Sequence, residues 1–392
     1  MTGEVVLSAL LPSEQFIRPL LDRFEAETGI VVRVVLQDWE TAWSEHVRSA
    51  LYGEGPDVSE VGTTWMGDLM AMEALRPFTS HELAEIGPRS VLLPGMLAQT
   101  GIETDRAWTL PWVAGPRMIF YRPKLPGMSV VSPEGFASVG AFQATLRGLS
   151  EAGVRWPWVM WPVSPRQIIQ QAATWVWAAG GDLLDADGRK TAFASPESLQ
   201  GFYDYFWLLR YDGDTNRAGI TPDAFFLSNP GAAMRMSGTW LYRAALAPRP
   251  DPGEISAAPL PGPAFFGGSN LVIWKHTRRV DAALALVKFF LRPDVQVEHC
   301  QAVGLLPTRV DALAMPPYSD HPFWQVAAEA LRGGRTFPAV HMWGLVEDRL
   351  SSALFAVAMA LRARPEADIR DLLARNMVPL QRRLDLLLKE QG

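Results

Sequence analysis

At 392 residues the chain is longer than one hydrophobic core comfortably serves, so two or three folding units are expected. Apolar residues make up 48% and charged residues 20%, the balance of a globular, water-soluble fold rather than a disordered or fibrous one. The net charge of −6 comes from 42 acidic and 36 basic residues spread along the chain, without the basic stripe that nucleic acid requires, so no nucleic-acid partner is expected.

The first elements alternate. "EVVLSALLP" reads as a short buried strand, and "SEQFIRPLLDRFEAETG" follows with Phe16, Leu20, Leu21 and Phe24 at helical spacing. Ser13 is placed to cap that helix and Gly29 to stop it. "IVVRVVLQDW" is a second strand, "ETAWSEHVRSALYGEG" a helix ending at Gly53 or Gly55, and "PDVSEVGTTW" the next strand with its exit at Thr63–Trp65. Strands alternating with helices predict a parallel or mixed sheet covered on both faces. Ligands of such sheets lie beyond the carboxyl ends of the strands, which singles out Leu11–Glu14, Gln37–Glu40 and Thr63–Trp65.

"AWTLPWVAGPRMIFYRP" then reads as an extended crossing segment, and a second unit begins near residue 113. It carries amphipathic helices in "SPRQIIQQAATWVWAAGG" and "SPESLQGFYDYFWLLRYDG". "GAAMRMSGTWLYRAAL" holds a strand running into Ser237-Gly238 and a helix leaving from Thr239-Trp240. "RWPWVMWP" reads as a proline-flanked aromatic loop. In "PAFFGGSNLVIWK", Gly267 and Gly268 mark either a bend or a close approach to the backbone. The end, from Phe323 to Leu388, is mostly helical.

Fifteen tryptophans are the compositional outlier. Indole is costly to leave wet and awkward to bury with its N–H unpaired, so a surplus points to a lined surface, and sugar rings stack on such planes. No run of roughly eighteen apolar residues spans a membrane. The opening "MTGEVVLSALLPSEQF" lacks the charged-then-apolar pattern of an export signal. The lone Cys300 forbids an internal disulfide, and the six histidines lack ligand spacing, so no metal or other cofactor is expected. A phosphate loop, an H-E-x-x-H helix and a G-x-S-x-G elbow are all missing from the sequence.

Seven segments in order, "FEAETGIVVRV", "GEGPDVSEVGTTW", "LPWVAGPRMIFYR", "WAAGGDLLDADGRKTAFASPES", "GAAMRMSGTW", "PLPGPAFFGGSNLVI" and "GLLPTRVDAL", resemble the extracellular solute-binding proteins of ABC importers, specifically the sugar-binding family that includes maltose-binding protein. The resemblance implies an α/β, two-lobed periplasmic-binding-protein-like fold of type II, with discontinuous lobes joined by hinge strands and the ligand in the cleft between them. Carried over by segment, lobe one is 1–112 and 267–312, and lobe two 113–266 and 313–392.

The function so implied is the capture of a carbohydrate, a disaccharide or short oligosaccharide, and its delivery to the permease subunits of an ABC importer by a monomeric, non-enzymatic protein. The implied location is extracytoplasmic, periplasmic or lipid-anchored, with the signal segment absent from this chain. A glycoside hydrolase is the alternative, because aromatic platforms and carboxylates serve both. The residues expected at the ligand are Glu14, Trp39, Thr64, Trp65, Arg117, Trp177, Trp240, Gly267, Gly268, Ser269, Asn270 and Trp343. Trp65 and Trp240 would be stacking platforms, Arg117 a forked donor, and Gly267–Asn270 a source of backbone amides and polar edges. One of Trp175 and Trp177 would face the ligand and the other the core.

Overall fold

The expected β-α-β opening is present in the computed structural model, which describes residues 4–97, 106–161, 165, 167–185, 188–213, 219–246, 254–340 and 343–389. The strands are β1 (Val5–Ala9), β2 (Val32–Leu36), β3 (Val58–Gly62), β4 (Leu110–Tyr121), β5 (Trp156–Val159), β6 (Ala232–Gly238), β7 (Ser256–Ala258), β8 (Phe266–Ile273) and β9 (Leu306–Pro307). Between β1 and β2 the helix Arg18–Thr28 buries Leu20, Leu21 and Phe24, and Gly29 ends it in the left-handed conformation at φ 71°. The next helix, Ala42–Tyr52, stops in the same way at Gly53, φ 63°.

The chain divides into two compact units. Unit 1 comprises Met1–Gly115, Phe266–Ala328 and Thr336–Gly344, and unit 2 Pro116–Phe265, Glu329–Arg335 and Leu345–Gly392. The expected boundaries at 112 and 266 fall within a few residues of these. The expectation for 313–328 is corrected, since that stretch folds with unit 1, where the Tyr318 hydroxyl donates to the Leu305 carbonyl at 2.9 Å. Residues 336–344 also belong to unit 1: a Cβ on Gly67 would lie 2.3 Å from the Val340 carbonyl oxygen, so the segment rests directly on the helix Met66–Ala71.

In unit 1, β1 pairs in parallel with both β2 and β3, so these three strands end on the same side. β8 runs antiparallel to β3, and the first half of β4 pairs with β9 through Val113 and Ala114. In unit 2 the second half of β4 pairs antiparallel with β6 and β7, and β5 lies parallel to β6. The "WPWV" stretch expected as a loop is therefore strand β5, whose Trp158 is buried in the core of unit 2. Residues 157–159 of this strand are all buried, and Pro157 is tolerated near its start because β5 is the last strand in the sheet order β2-β1-β3-β8-β4-β6-β5.

Candidate ligand-binding residues on each unit

On unit 1 the carboxyl ends of β1, β2 and β3 carry the expected exit loops. β2 passes into a turn in which Asp38 accepts from the Glu40 amide at 2.7 Å, and Trp39 leaves that turn 47% exposed. β3 passes into the single helical turn Thr63–Trp65. The Trp65 ring lies 5.6 Å from that of Trp39, 5.9 Å from Trp43 and 5.7 Å from His46, all tilted. Gly62 makes this possible, because a Cβ there would come within 3.2 Å of both Trp39 and Trp65. Thr64 is partly buried beside them. Burial of His46 among these rings lowers its pKa to about 4, so the cluster is uncharged at neutral pH.

Several other expected residues of unit 1 are engaged within that unit. Glu14 accepts twice from Arg18, at 2.8 and 2.5 Å, in an i,i+4 pair at the start of the first helix. A Cβ on Gly268 would lie 2.0 Å from the carbonyl oxygen of Val113, so what approaches that backbone is β4 itself. Gly267 beside it is half-buried. Ser269 points inward, donating to Glu60 Oε1 at 2.5 Å, while Glu60 Oε2 accepts from the Leu10 amide at 2.8 Å. Asn270 is wholly buried. Trp343 is 1% exposed and packs against Phe337 at 4.7 Å, which makes it interior. Ser269 and Trp343 are thus engaged in the interior, and at Gly268 strand packing uses the room that the glycine provides.

On unit 2, β6 ends at Gly238 and the helix Trp240–Leu246 begins. The Trp240 ring rests on Gly238, where a Cβ would fall 1.9 Å from it. Its indole N–H donates to Asp223 Oδ2 at 3.1 Å. Asp223 is held in turn by Arg235 and by the Ser237 hydroxyl at 3.0 Å. Burial alone would raise the Asp223 pKa, but the Arg235 guanidinium and these hydrogen bonds bring it below the ordinary carboxylate value. The Arg117 guanidinium lies 4.6 Å over the Trp240 ring and donates to Gln170 Oε1 at 2.8 Å.

A second indole of unit 2 is arranged likewise. Trp175 is fully buried in the core of unit 2, 5.7 Å from Phe142, which leaves Trp177 as the other member of the pair. Trp177 donates its N–H to Asp182 Oδ1 at 3.2 Å, and Arg335 lies 4.8 Å over its ring while donating to Asp182 Oδ2 at 2.5 Å. Asp182, Asp223, Gln170, Arg335 and Trp43 were not anticipated as members of these sets. Asp182 stands five residues beyond Trp177, within reach from a helix end; Arg335 gives no comparable signal, being more than a hundred residues away.

The family model for bacterial extracellular solute-binding proteins matches residues 20–325. The chain belongs to that family. Among solved structures, this solute-binding protein is similar to the GacH receptor of Streptomyces glaucescens, whose structures include a complex with acarbose, at 20% identity and a TM-score of 0.83 over 99% of both chains. It is equally similar in fold to the sugar-binding protein MalE of Xanthomonas citri, at 19% identity and a TM-score of 0.83 over 99% of this chain and 98% of that one. The diacetylchitobiose binding protein DasA of Streptomyces coelicolor is 23% identical over 368 residues, 88% of this chain and 81% of its own. These likenesses establish the α/β, two-lobed binding-protein fold for this solute-binding protein. Among its described residues no helix is long and apolar enough to cross a membrane.

Proposed function

We propose that this solute-binding protein captures a small carbohydrate, a disaccharide or short oligosaccharide, outside the cytoplasm and delivers it to the permease of an ABC importer. It acts as a monomer, and the two units close on the ligand. The observation that carries this reading is that each unit holds a part-buried indole ring fixed by its neighbours: Trp65, with the exposed Trp39 beside it, against Gly62 on unit 1, and Trp240 by Asp223 on unit 2. Rigid indole planes suit the C–H faces of sugars, and their fixed geometry lowers the entropy lost on binding. Relatives named for binding diacetylchitobiose and crystallised with acarbose support the carbohydrate class.

The hydrolase alternative needs two carboxyl groups facing one bond, one of them with a raised pKa. Asp223 is instead held below its ordinary value, and Glu60, whose pKa is raised by burial, sits in the interior bonded to Ser269 and Leu10. A thermal-shift screen of the purified chain against neutral and acidic mono-, di- and trisaccharides tests the proposal, because a ligand at a hundred times its Kd adds about 2.7 kcal/mol of stability. A rise with at least one carbohydrate is expected, without release of reducing ends from the same sugar. Cleavage would overturn the binding-only reading.

A further inference from the structure

We infer that the captured carbohydrate carries an anionic substituent, a carboxylate or a phosphate ester, received by Arg117 beside Trp240. This rests on the carbohydrate reading above and narrows it.

The two indole settings of unit 2 share a plan and differ in charge. At Trp177 one cation meets one anion: Arg335 covers the ring and is paired with Asp182, which also takes the indole N–H. At Trp240 two guanidinium groups surround one carboxylate. Asp223 takes the indole N–H there too, but its remaining capacity goes to Arg235 and Ser237. Arg117, the cation over the ring, is left with the neutral Gln170 as its side-chain hydrogen-bond acceptor, and its Nε has no partner among the described residues.

The position makes that surplus costly. Arg117 is 7% exposed, so water compensates its charge poorly, and the one carboxylate near it, Asp223, is already paired with Arg235, so the two buried cations share a single counterion. Burial pulls its pKa down to about 10, which leaves it cationic at neutral pH. Trp240 itself is only part-buried, so the buried cation lies directly against a ring that is partly at the surface. A sugar set beside the indole would bring a ring substituent to the guanidinium, whose planar fork matches the two oxygens of a carboxylate or phosphate. A neutral hydroxyl would accept the hydrogen bond and leave the charge unbalanced.

The test is calorimetric titration of the full chain with matched probes: glucuronic acid and a glucuronate-containing disaccharide, glucose 6-phosphate, and glucose and maltose as their neutral counterparts. At least one acidic probe should bind roughly tenfold or more tightly than its neutral counterpart, the carboxylate and phosphate arms telling the two sources apart. The preference should vanish in Arg117→Gln and survive in Arg117→Lys. A neutral sugar bound as tightly as its acidic counterpart by the unaltered chain would overturn the inference and leave carbohydrate capture standing. Binding of no sugar in either set, with the chain folded by circular dichroism, would count against both. Unaltered charge preference in a folded Arg117→Gln chain would overturn the assignment to Arg117.

Discussion

On unit 1, Trp65 is held by other rings, Trp39, Trp43 and His46, and by the bare backbone of Gly62, whereas on unit 2 Trp240 is held by charge, its N–H on Asp223 and its face under Arg117. The first arrangement is apolar and depends on packing. The second depends on a carboxylate staying ionised. Two tryptophans with the same expected task therefore respond to different perturbations, and the contrast can be broken from either side.

The largest effect is expected from Asp223→Asn. It leaves Arg235, whose side chain is 5% exposed, without its partner, and removing one member of a buried pair costs about 3 kcal/mol or more. Chemical denaturation should record that loss, and binding should weaken as Trp240 loses its fixed orientation. The corresponding change on unit 1, Trp39→Ala, removes a ring that is 47% exposed and packs on Trp65, and should lower the denaturation midpoint by less than Asp223→Asn does.

Acid should next separate the units. His46 and His299, both in unit 1, are kept neutral by burial, with pKa values lowered to about 4 and about 3. Since an unfolded histidine titrates near ~6.5, the unfolded chain binds more protons below that pH, and the stability each residue contributes is complete above ~6.5 and falls as pH drops toward the folded values. For His46 the loss reaches about 3 kcal/mol near pH 4. Asp223 behaves oppositely in range: its lowered pKa contributes stability above the unfolded value of ~3.9, lost only as pH falls further. Hydrogen exchange at about pH 4.5 should thus show earlier loss of protection in unit 1 peptides, and His46→Phe should reduce it.

A smaller effect is expected from Gly268→Ala, which forces β4 and β8 of unit 1 apart because its Cβ would meet the Val113 carbonyl. Overpacking of this kind costs about 2 kcal/mol. Gly267→Ala should cost less, and equal tolerance of both changes in urea denaturation would mean that the close approach is not what Gly268 serves.

The architecture was legible where local chemistry and burial agree. Gly29 and Gly53 punctuate the opening elements as expected, whereas Ser13 caps only the short turn Glu14–Phe16, its hydroxyl accepting from the Gln15 amide, and the helix Arg18–Thr28 begins after Ile17 without a side-chain cap. The strand ending at Ser237-Gly238 and the helix from Trp240 follow the same logic. Gly268 and Ser269 were harder, because glycine and serine serve a strand crossing and a ligand edge equally well, and only partners distant in sequence, Val113 and Glu60, reveal what they pack against. Trp343 illustrates the same limit: an indole at a helix start reads alike whether it faces a ligand or Phe337. Asp182, Asp223 and Arg335 were missed since a carboxylate that orients an indole has no sequence spacing of its own.

Calorimetric titration of Trp65→Ala and Trp240→Ala with the best sugar from the screen, each beside the unaltered chain, addresses capture by both units most directly. Each variant should bind at least roughly tenfold more weakly while remaining folded, as loss of an aromatic platform predicts. Full affinity retained by either one would contradict the use of both units in holding the ligand.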